Sequence, residues 1–308
     1  MTMWIFLITL PLLNFFGVNA CKPVAEEMVV FQDPGFTLSY DFENPDTTYS
    51  LPPLLEEISG LGYVSEKNQL VALQDEAGIL FFISTATGKV EKEIPFWGDG
   101  DFEGVEWVNG KAYTVTSKGD IYSVSLLEND SVQVDRHKTF LNKSANVEGL
   151  GWYASKNALL LSCKGVVEGT PDTVKNIYAF RLDSMQLDSQ PIFQIRLGMI
   201  QHYLGDGAVL KNAEKVMDKL NPEEGGFTFG PSGIAQHPQT GDFYILSSVG
   251  KLILVLSEQG EVLLLHKLSK SVLPQPEGIA FEPDGTLWIS SEGKKGDKGR
   301  LLKYSPKN

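Results

Sequence analysis

Glutamates stand immediately before glycines at three places in the chain, and serines take the same place at two others. The five residues are Ser59, Glu103, Glu148, Ser232 and Glu277. Carboxylate and hydroxyl oxygens are hard ligands, and calcium takes about six to eight oxygens at roughly 2.3–2.6 Å. No cysteine or histidine occupies the position, which argues against zinc. If the five side chains converge, the sequence therefore predicts a calcium site.

These five positions belong to a repeated stretch of sequence. Its anchor glycines are Gly60, Gly104, Gly149, Gly233 and Gly278, at spacings of 44, 45, 84 and 45 residues. After each glycine comes a strand, a tight turn, a second strand and further strand-forming runs. Four short strands in a period of about 45 residues are typical of β-propellers. The sequence predicts an all-β, five-bladed propeller, with six blades as the alternative if the doubled spacing hides a further repeat.

The doubled spacing is better explained by insertions into one blade. Residues 163–176 lengthen a turn between two strands, and a stretch near residues 205–221 has apolar side chains at helical spacing. These are Val209, Ala213, Val216, Met217 and Leu220. The direction of the strands places both insertions at the end of the channel that holds the glutamates. A loop and a short helical insertion are therefore expected to rim this mouth. The alternative is that the helix only fills a gap between two blades.

The N-terminal residues predict export and lipid anchoring. Residues 1–20 contain no charged side chain and an apolar core that is too short for a good transmembrane helix, as in a signal peptide. The following Cys21 resembles the acylated cysteine of a bacterial lipobox. Residues 21–34 then form a tether from the lipid. The expected location is the cell envelope, on the periplasmic or outer-surface side of a membrane, and simple secretion is the alternative.

The remaining residues, 35–308, are predicted to form the propeller domain. The last repeat ends at its third strand, RLLKYS, and lacks an outer partner. Residues 35–42, GFTLSYDF, have the length and alternation to fill that place. An N-terminal strand is thus expected to close the ring. The net charge of −13 makes nucleic acid an unsuitable partner.

With its repeats, the QDE at residues 74–76 and the lipobox, the chain resembles the SdiA-regulated family of bacterial envelope proteins. This resemblance implies a five-bladed propeller with bound calcium, distantly similar to NHL-repeat propellers, and no established activity. The stretch PEGIAFEPDGTLWIS is also similar to gluconolactonase and paraoxonase propellers, which implies a metal-ligand role for Glu277. Those enzymes have Asn or Asp where this chain has Ser59 and Ser232, so the resemblance does not carry over their lactonase mechanism.

Three functional interpretations follow. The first is an envelope lipoprotein that binds calcium, and an unknown protein or small molecule, at the channel mouth. The second is a calcium-dependent hydrolase of lactones, esters or phosphoesters, in which the metal polarises an oxygen of the substrate. The third is a scaffold in which each glutamate only begins a strand and accepts hydrogen bonds from the backbone of the next blade.

Overall fold

The computed structural model describes residues 29–128, 131–205, 213–221, 226–293 and 296–307. These residues form five antiparallel sheets. The innermost strand of each sheet contacts the innermost strand of the next, and that of the fifth sheet contacts that of the first. The five-bladed propeller is confirmed, and the 84-residue gap between anchor glycines holds one enlarged blade.

Blades 1 and 2 each consist of four strands consecutive in sequence. From the channel outward, the strands of blade 1 are Ile58–Val64, Gln69–Gln74, Ala77–Ser84 and Val90–Asp99. Those of blade 2 are Phe102–Val108, Lys111–Thr116, Ile121–Leu126 and Val132–His137. The second strand is almost fully buried in both blades, whereas the outermost strand alternates in exposure because one of its faces meets solvent.

Blade 3 is enlarged at its outer edge. Its three inner strands are Val147–Tyr153, Ala158–Cys163 and Val174–Arg181, and a short 3-10 helix, Ala154–Lys156, joins the first two. Two short strands, Gln186–Leu187 and Phe193–Arg196, pair with different parts of the third. Helices α1 (Leu197–Gly205) and α2 (Ala213–Leu220) follow the blade.

Blades 4 and 5 both take their outermost strand from the N-terminal part of the chain. Blade 4 comprises Pro231–Gln236, Phe243–Ser247, Leu252–Leu256, Val262–Lys267 and, outside them, Val29–Gln32. Blade 5 comprises Pro276–Phe281, Leu287–Ser291, Arg300–Tyr304 and, outside them, Thr47–Ser50. A 3-10 helix, Pro53–Leu55, leads from there to blade 1.

An N-terminal strand closes the ring, but it is not the expected one. Thr47–Ser50 pairs with the third strand of blade 5, whereas residues 35–42 form no strand. Tyr40 and Phe42 are buried in the core between blades 4 and 5, and the Tyr40 hydroxyl donates a hydrogen bond to Gly285 O at 2.6 Å. The alternating apolar side chains of this segment therefore fill a gap between two sheets instead of extending one sheet.

The other N-terminal predictions lie mostly outside the described residues. The signal peptide, Cys21 and most of the tether belong to residues 1–28. Within the expected tether, Val29–Gln32 pairs with the fourth strand of blade 4. Among the described residues, the helices are too short or too polar to cross a membrane.

The helical insertion is confirmed at α2, and α1 adds a helix that the apolar spacing did not indicate. Val216 and Leu220 are buried in the core between blades 3 and 4, and Met217 packs against it. Val209 lies outside the described residues. The α2 stripe was readable because its apolar side chains face a core, as in other amphipathic helices.

Candidate functional site

A backbone irregularity places the five predicted residues. In every blade, the pairing of the innermost strand with the second strand shifts register at the residue before the anchor glycine. Such β-bulges leave one residue outside the ladder and re-aim its side chain, and they are frequent beside functional sites. The five residues at the bulges are Ser59, Glu103, Glu148, Ser232 and Glu277.

The bulges bring the five side chains to one small cavity on the propeller axis. It measures about 10 Å³, and the five residues and the glycines after them line it. A cavity of this size holds about one water molecule or one ion. The structure therefore brings together the whole predicted set, while its role in binding a metal stays a prediction.

The two serines connect neighbouring blades. The Ser59 hydroxyl donates to Phe102 O at 2.9 Å, and the Ser232 hydroxyl donates to Pro276 O at 2.9 Å. Each acceptor immediately precedes a channel glutamate of the next blade. The serines thus hold the backbone beside Glu103 and Glu277, and their oxygen lone pairs stay available to accept.

Glu148 has an internal cation as its partner. Its Oε1 accepts hydrogen bonds from Lys164 Nζ at 2.7 Å and from Asn146 Nδ2 at 2.9 Å. Burial raises the pKa of Glu148 above its usual value, and Lys164 and Asn146 oppose this. Burial alone would lower the pKa of Lys164, but Glu148, Glu277 and Glu103 together raise it.

Glu103 and Glu277 are harder to ionise. Burial, followed by the charges of Glu148 and Asp101, raises the pKa of Glu103 to about 8. Burial, followed by the charges of Glu292 and Glu148, raises the pKa of Glu277 well above its usual value. Near neutral pH, part of the acidic set is therefore protonated, since like charges in a poorly hydrated site oppose one another's ionisation.

Two further carboxylates border the set and were not among the predicted ligands. Burial and then the Glu57 charge raise the pKa of Asp75, and its Oδ1 is buried without a hydrogen-bond partner among the described residues. Burial and then the Asp75 charge raise the pKa of Glu292 to about 7. Both follow the second strand of their blade, so their position in the repeat could have revealed them. We call these residues, with the five bulge residues and Lys164, the acidic mouth.

Lys164 is the most important residue that the sequence did not reveal. It follows the second strand of blade 3 directly, inside the long loop that was noted only for its length. Lys175 Nζ donates to Lys164 O at 2.7 Å and fixes the backbone there. A single lysine at a turn gives no pattern, so only the structure shows that it reaches the channel.

The blade 3 loop lies at this end of the channel, whereas α2 buries Val216 and Leu220 in the core between blades 3 and 4. A Cβ on Gly230, in the segment after α2, would lie 3.2 Å from Lys164 Cε, and one on Gly226 would lie 2.9 Å from Asp172 Oδ2 in the blade 3 loop. The Lys175 ammonium lies over the Phe227 ring, 6.0 Å from its centroid. The loop and residues 226–230 after α2 therefore border the acidic mouth, while α2 itself fills space between blades 3 and 4, as the alternative for this insertion predicted.

The donor set at the channel matches calcium in part. Its oxygen-only side chains, its cavity of about 10 Å³ and the unpartnered Asp75 Oδ1 suit a hard cation. As placed, however, no three His, Cys, Asp or Glu side chains of the described ranges form a group that could hold a metal. Glu148 is already paired with the Lys164 ammonium. The oxygen ligands and the cavity size suit calcium, but the side chains would have to move to form a ligand set, and the Lys164–Glu148 pair competes with the ion.

Comparisons with known proteins agree with the fold. The family model described as SdiA-regulated matches residues 39–294. Glutaminyl cyclase from Myxococcus xanthus is similar in structure, with a TM-score of 0.55 and 14% identity over 85% of this chain and 95% of that chain. A gluconolactonase from Xanthomonas campestris has a TM-score of 0.48 and 12% identity over 80% of this chain and 72% of that chain. At 14% identity, the similarity to glutaminyl cyclase establishes the propeller architecture alone.

Proposed function

Since the chain belongs to the SdiA-regulated family, we propose that it is a lipid-anchored binding module of the cell envelope whose acidic mouth takes calcium. The support for the envelope location is the charge-free leader of residues 1–20 followed by Cys21. The support for calcium lies in the described residues around the channel axis. The two parts of the proposal are independent and are tested separately.

One observation carries the calcium proposal: acidic residues from three blades line one cavity, and among the described residues Lys164 offsets part of their charge. Glu103, Glu148 and Glu277 line the cavity, and Lys164 interacts with all three. The raised pKa values of Glu103 and Glu277 mean that burial and neighbouring charges disfavour their ionised forms, whereas ionised Glu148 is stabilised by Lys164 and Asn146. A divalent cation would stabilise the ionised forms, and Ser59, Ser232 and Asp75 could provide further oxygens.

A partner is expected at the rim around this ion. The blade 3 loop and the segment after α2 are long, border the acidic mouth and are not needed to close the propeller. Loops on a rigid scaffold are the usual place for binding residues. Calcium would then hold the channel glutamates in place, and the blade 3 loop and the segment after α2 would contact the ligand.

Isothermal titration with CaCl₂ tests the calcium proposal directly. We expect saturable binding to the wild-type domain, loss of binding in Glu277→Gln, and tighter binding in Lys164→Met because the competing ammonium is gone. Glu93→Gln, an exposed site on the outermost strand of blade 1, is the matched control. No binding to the wild type or to Lys164→Met would overturn the calcium proposal.

The envelope proposal is tested by fractionation. The full chain should partition into the detergent phase after expression in a bacterium that processes lipoproteins, and Cys21→Ala should remain in the aqueous phase. Equal partitioning of the two chains would contradict the lipid anchor.

A further inference from the structure

At the opposite end of the channel, the innermost strands carry a ring of aromatic side chains. The third residue after each anchor glycine is aromatic in four of the five repeats: Tyr63, Trp107, Trp152 and Phe281, with Gln236 in the fifth. All five side chains are partly buried and line one cavity of about 470 Å³. A strand rises about 3.3 Å per residue, so this ring lies roughly 13 Å along the axis from the glutamates. We call it the aromatic pocket.

One carboxylate reaches into the aromatic pocket. The second residue after the anchor glycine is small in four repeats, namely Gly62, Gly151, Ala235 and Ala280, and is Glu106 in the other. A Cβ on Gly62 would lie 3.3 Å from Glu106 Oε1, so the absence of a side chain there leaves room for the carboxylate. Glu106 is therefore the single acidic residue among those that line the pocket.

The Glu106 carboxylate is held in place by two tryptophan backbones. Trp107 N–H donates to Oε1 at 3.0 Å, and Trp152 N–H donates to Oε2 at 3.1 Å. Burial raises the pKa of Glu106 to about 7, and these two amides oppose the shift. Each oxygen keeps a lone pair, but the charge lacks a cationic partner among the described residues that line the pocket, which include no lysine or arginine.

His237, which also lines the pocket, does not supply a positive charge to balance Glu106. Its Nδ1 accepts hydrogen bonds from the backbone N–H groups of Gln239 and Thr240 at 3.2 Å. The Tyr40 hydroxyl donates to Gly285 O, so the 2.9 Å contact between His237 Nε2 and Tyr40 Oη is a bond that the ring N–H donates. Burial also lowers the pKa of His237. The imidazole is therefore neutral, with both nitrogens in use.

We propose that the aromatic pocket binds an organic cation with a quaternary ammonium head. Aromatic faces attract such a cation through their quadrupoles, and a nearby carboxylate adds its charge. A primary ammonium needs acceptors for three N–H groups, whereas a quaternary head needs none, and four aromatic side chains and one carboxylate line this pocket. A volume of about 470 Å³ lies within the range of small-molecule sites.

Titration with choline tests the proposal, with 3,3-dimethyl-1-butanol as a neutral molecule of the same shape. Tryptophan fluorescence and calorimetry should show choline binding at least about tenfold more tightly than the alcohol, and Trp152→Leu should lose about tenfold in choline affinity. Glu106→Gln should reduce the preference for choline over the alcohol, because the ring faces remain and the charge is removed.

Two controls locate the binding. Trp97→Leu removes an exposed tryptophan outside the pocket, and Glu277→Gln changes the acidic mouth; both should bind choline like the wild type. Thermal melting of each variant shows whether it is folded. Equal affinity for choline and the alcohol, no binding of choline by the folded wild type, or an equal loss in Trp97→Leu would overturn the proposal. A loss confined to Glu277→Gln would also overturn it, since the cation would then bind at the acidic mouth.

Discussion

Lys164 Nζ lies 2.7 Å from Glu148 Oε1, at the point where the channel carboxylates converge. The Lys164 side chain is 33% exposed and that of Glu148 12%. The ammonium also interacts with Glu277 and Glu103. The acidic mouth is thus neutralised in two ways, by proton uptake on its glutamates and by one amino group that the chain itself provides.

Replacing Lys164 with methionine should destabilise the domain by about 1 to 3 kcal/mol near neutral pH, because a buried carboxylate loses its charged partner while solvent screens part of the effect. The loss should shrink as pH falls and Glu148 takes up a proton. Chemical unfolding at several pH values measures this. Lys143→Met, at an exposed position in the loop after blade 2, should change the unfolding free energy little at any pH.

The raised glutamate pKa values predict a stability that falls as pH rises. The folded domain binds protons on Glu103 up to about pH 8, whereas an unfolded glutamate releases them near pH 4.3. The stabilisation that this bound proton provides is complete at pH values below the pKa of Glu103 in the unfolded chain. It is lost as the pH rises through the pKa of Glu103 in the folded domain. The free energy of unfolding should therefore decrease between about pH 5 and about pH 8.

Glu103→Gln should flatten that decrease by about 1 to 2 kcal/mol, because an amide resembles the protonated acid and carries no charge. It should be more stable than the wild type at the alkaline end. Glu93→Gln should follow the wild-type curve, since Glu93 is exposed. Parallel curves for Glu103→Gln and the wild type would show that Glu103 is ionised throughout.

Calcium should reverse this pH dependence. Because the ion needs ionised carboxylates, binding must displace protons from Glu103 and Glu277 and should strengthen with pH. At a hundred times its dissociation constant, calcium should add about 2.7 kcal/mol. The rise in melting temperature should be larger at about pH 8 than at about pH 6 and should disappear with a chelator.

If esters or lactones were also hydrolysed in a chelator-sensitive way, the hydrolase interpretation would be favoured.

The sequence was sufficient for the architecture because the repeat encodes it. An anchor glycine in each repeat marks the start of each innermost strand, and strand formers follow at regular distances. Repeat position also placed the five bulge residues at one height around the axis, since equivalent residues of successive blades are related by rotation. The blade count, the set of residues at the cavity and the end that carries the blade 3 loop could all be read in this way.

What the sequence did not reveal depends on residues outside the repeat. Lys164 lies in an insertion, and Thr47–Ser50 precedes the first repeat in sequence although it completes the last blade. Alternation alone could not distinguish the strand at residues 47–50 from the alternating segment at residues 35–42, because burial between two sheets also selects every second side chain. The aromatic pocket differs again, because its residues are in the repeat, at the end of each innermost strand that lies away from the glutamates.

Tyr40 tests the unexpected course of the N-terminal segment. Tyr40→Phe removes a buried hydroxyl that donates to Gly285 O and receives the His237 N–H, so we expect a loss of about 1 to 3 kcal/mol. Tyr49→Phe is the matched control, because its hydroxyl bonds to Ala86 O at an exposed site and should cost much less. Urea unfolding measures both. Equal effects would contradict the burial of Tyr40 between the blades.

The anchor glycines make the most demanding test of the channel geometry. A Cβ on Gly60 would lie 2.7 Å from Val105 N and 2.9 Å from Gly104 Cα, which are backbone atoms of the next blade and cannot turn aside. Gly60→Ala should therefore push two innermost strands apart and cost about 1 to 3 kcal/mol or more. At Gly98 a Cβ would meet nothing within 4 Å, so Gly98→Ala should be nearly neutral.

The same substitution also tests the calcium site. Because Ser59 and Glu103 flank this contact, Gly60→Ala should also weaken calcium binding, whereas Gly98→Ala should not. A stable Gly60→Ala domain with unchanged calcium affinity would mean that the glutamates do not depend on the close approach of neighbouring blades.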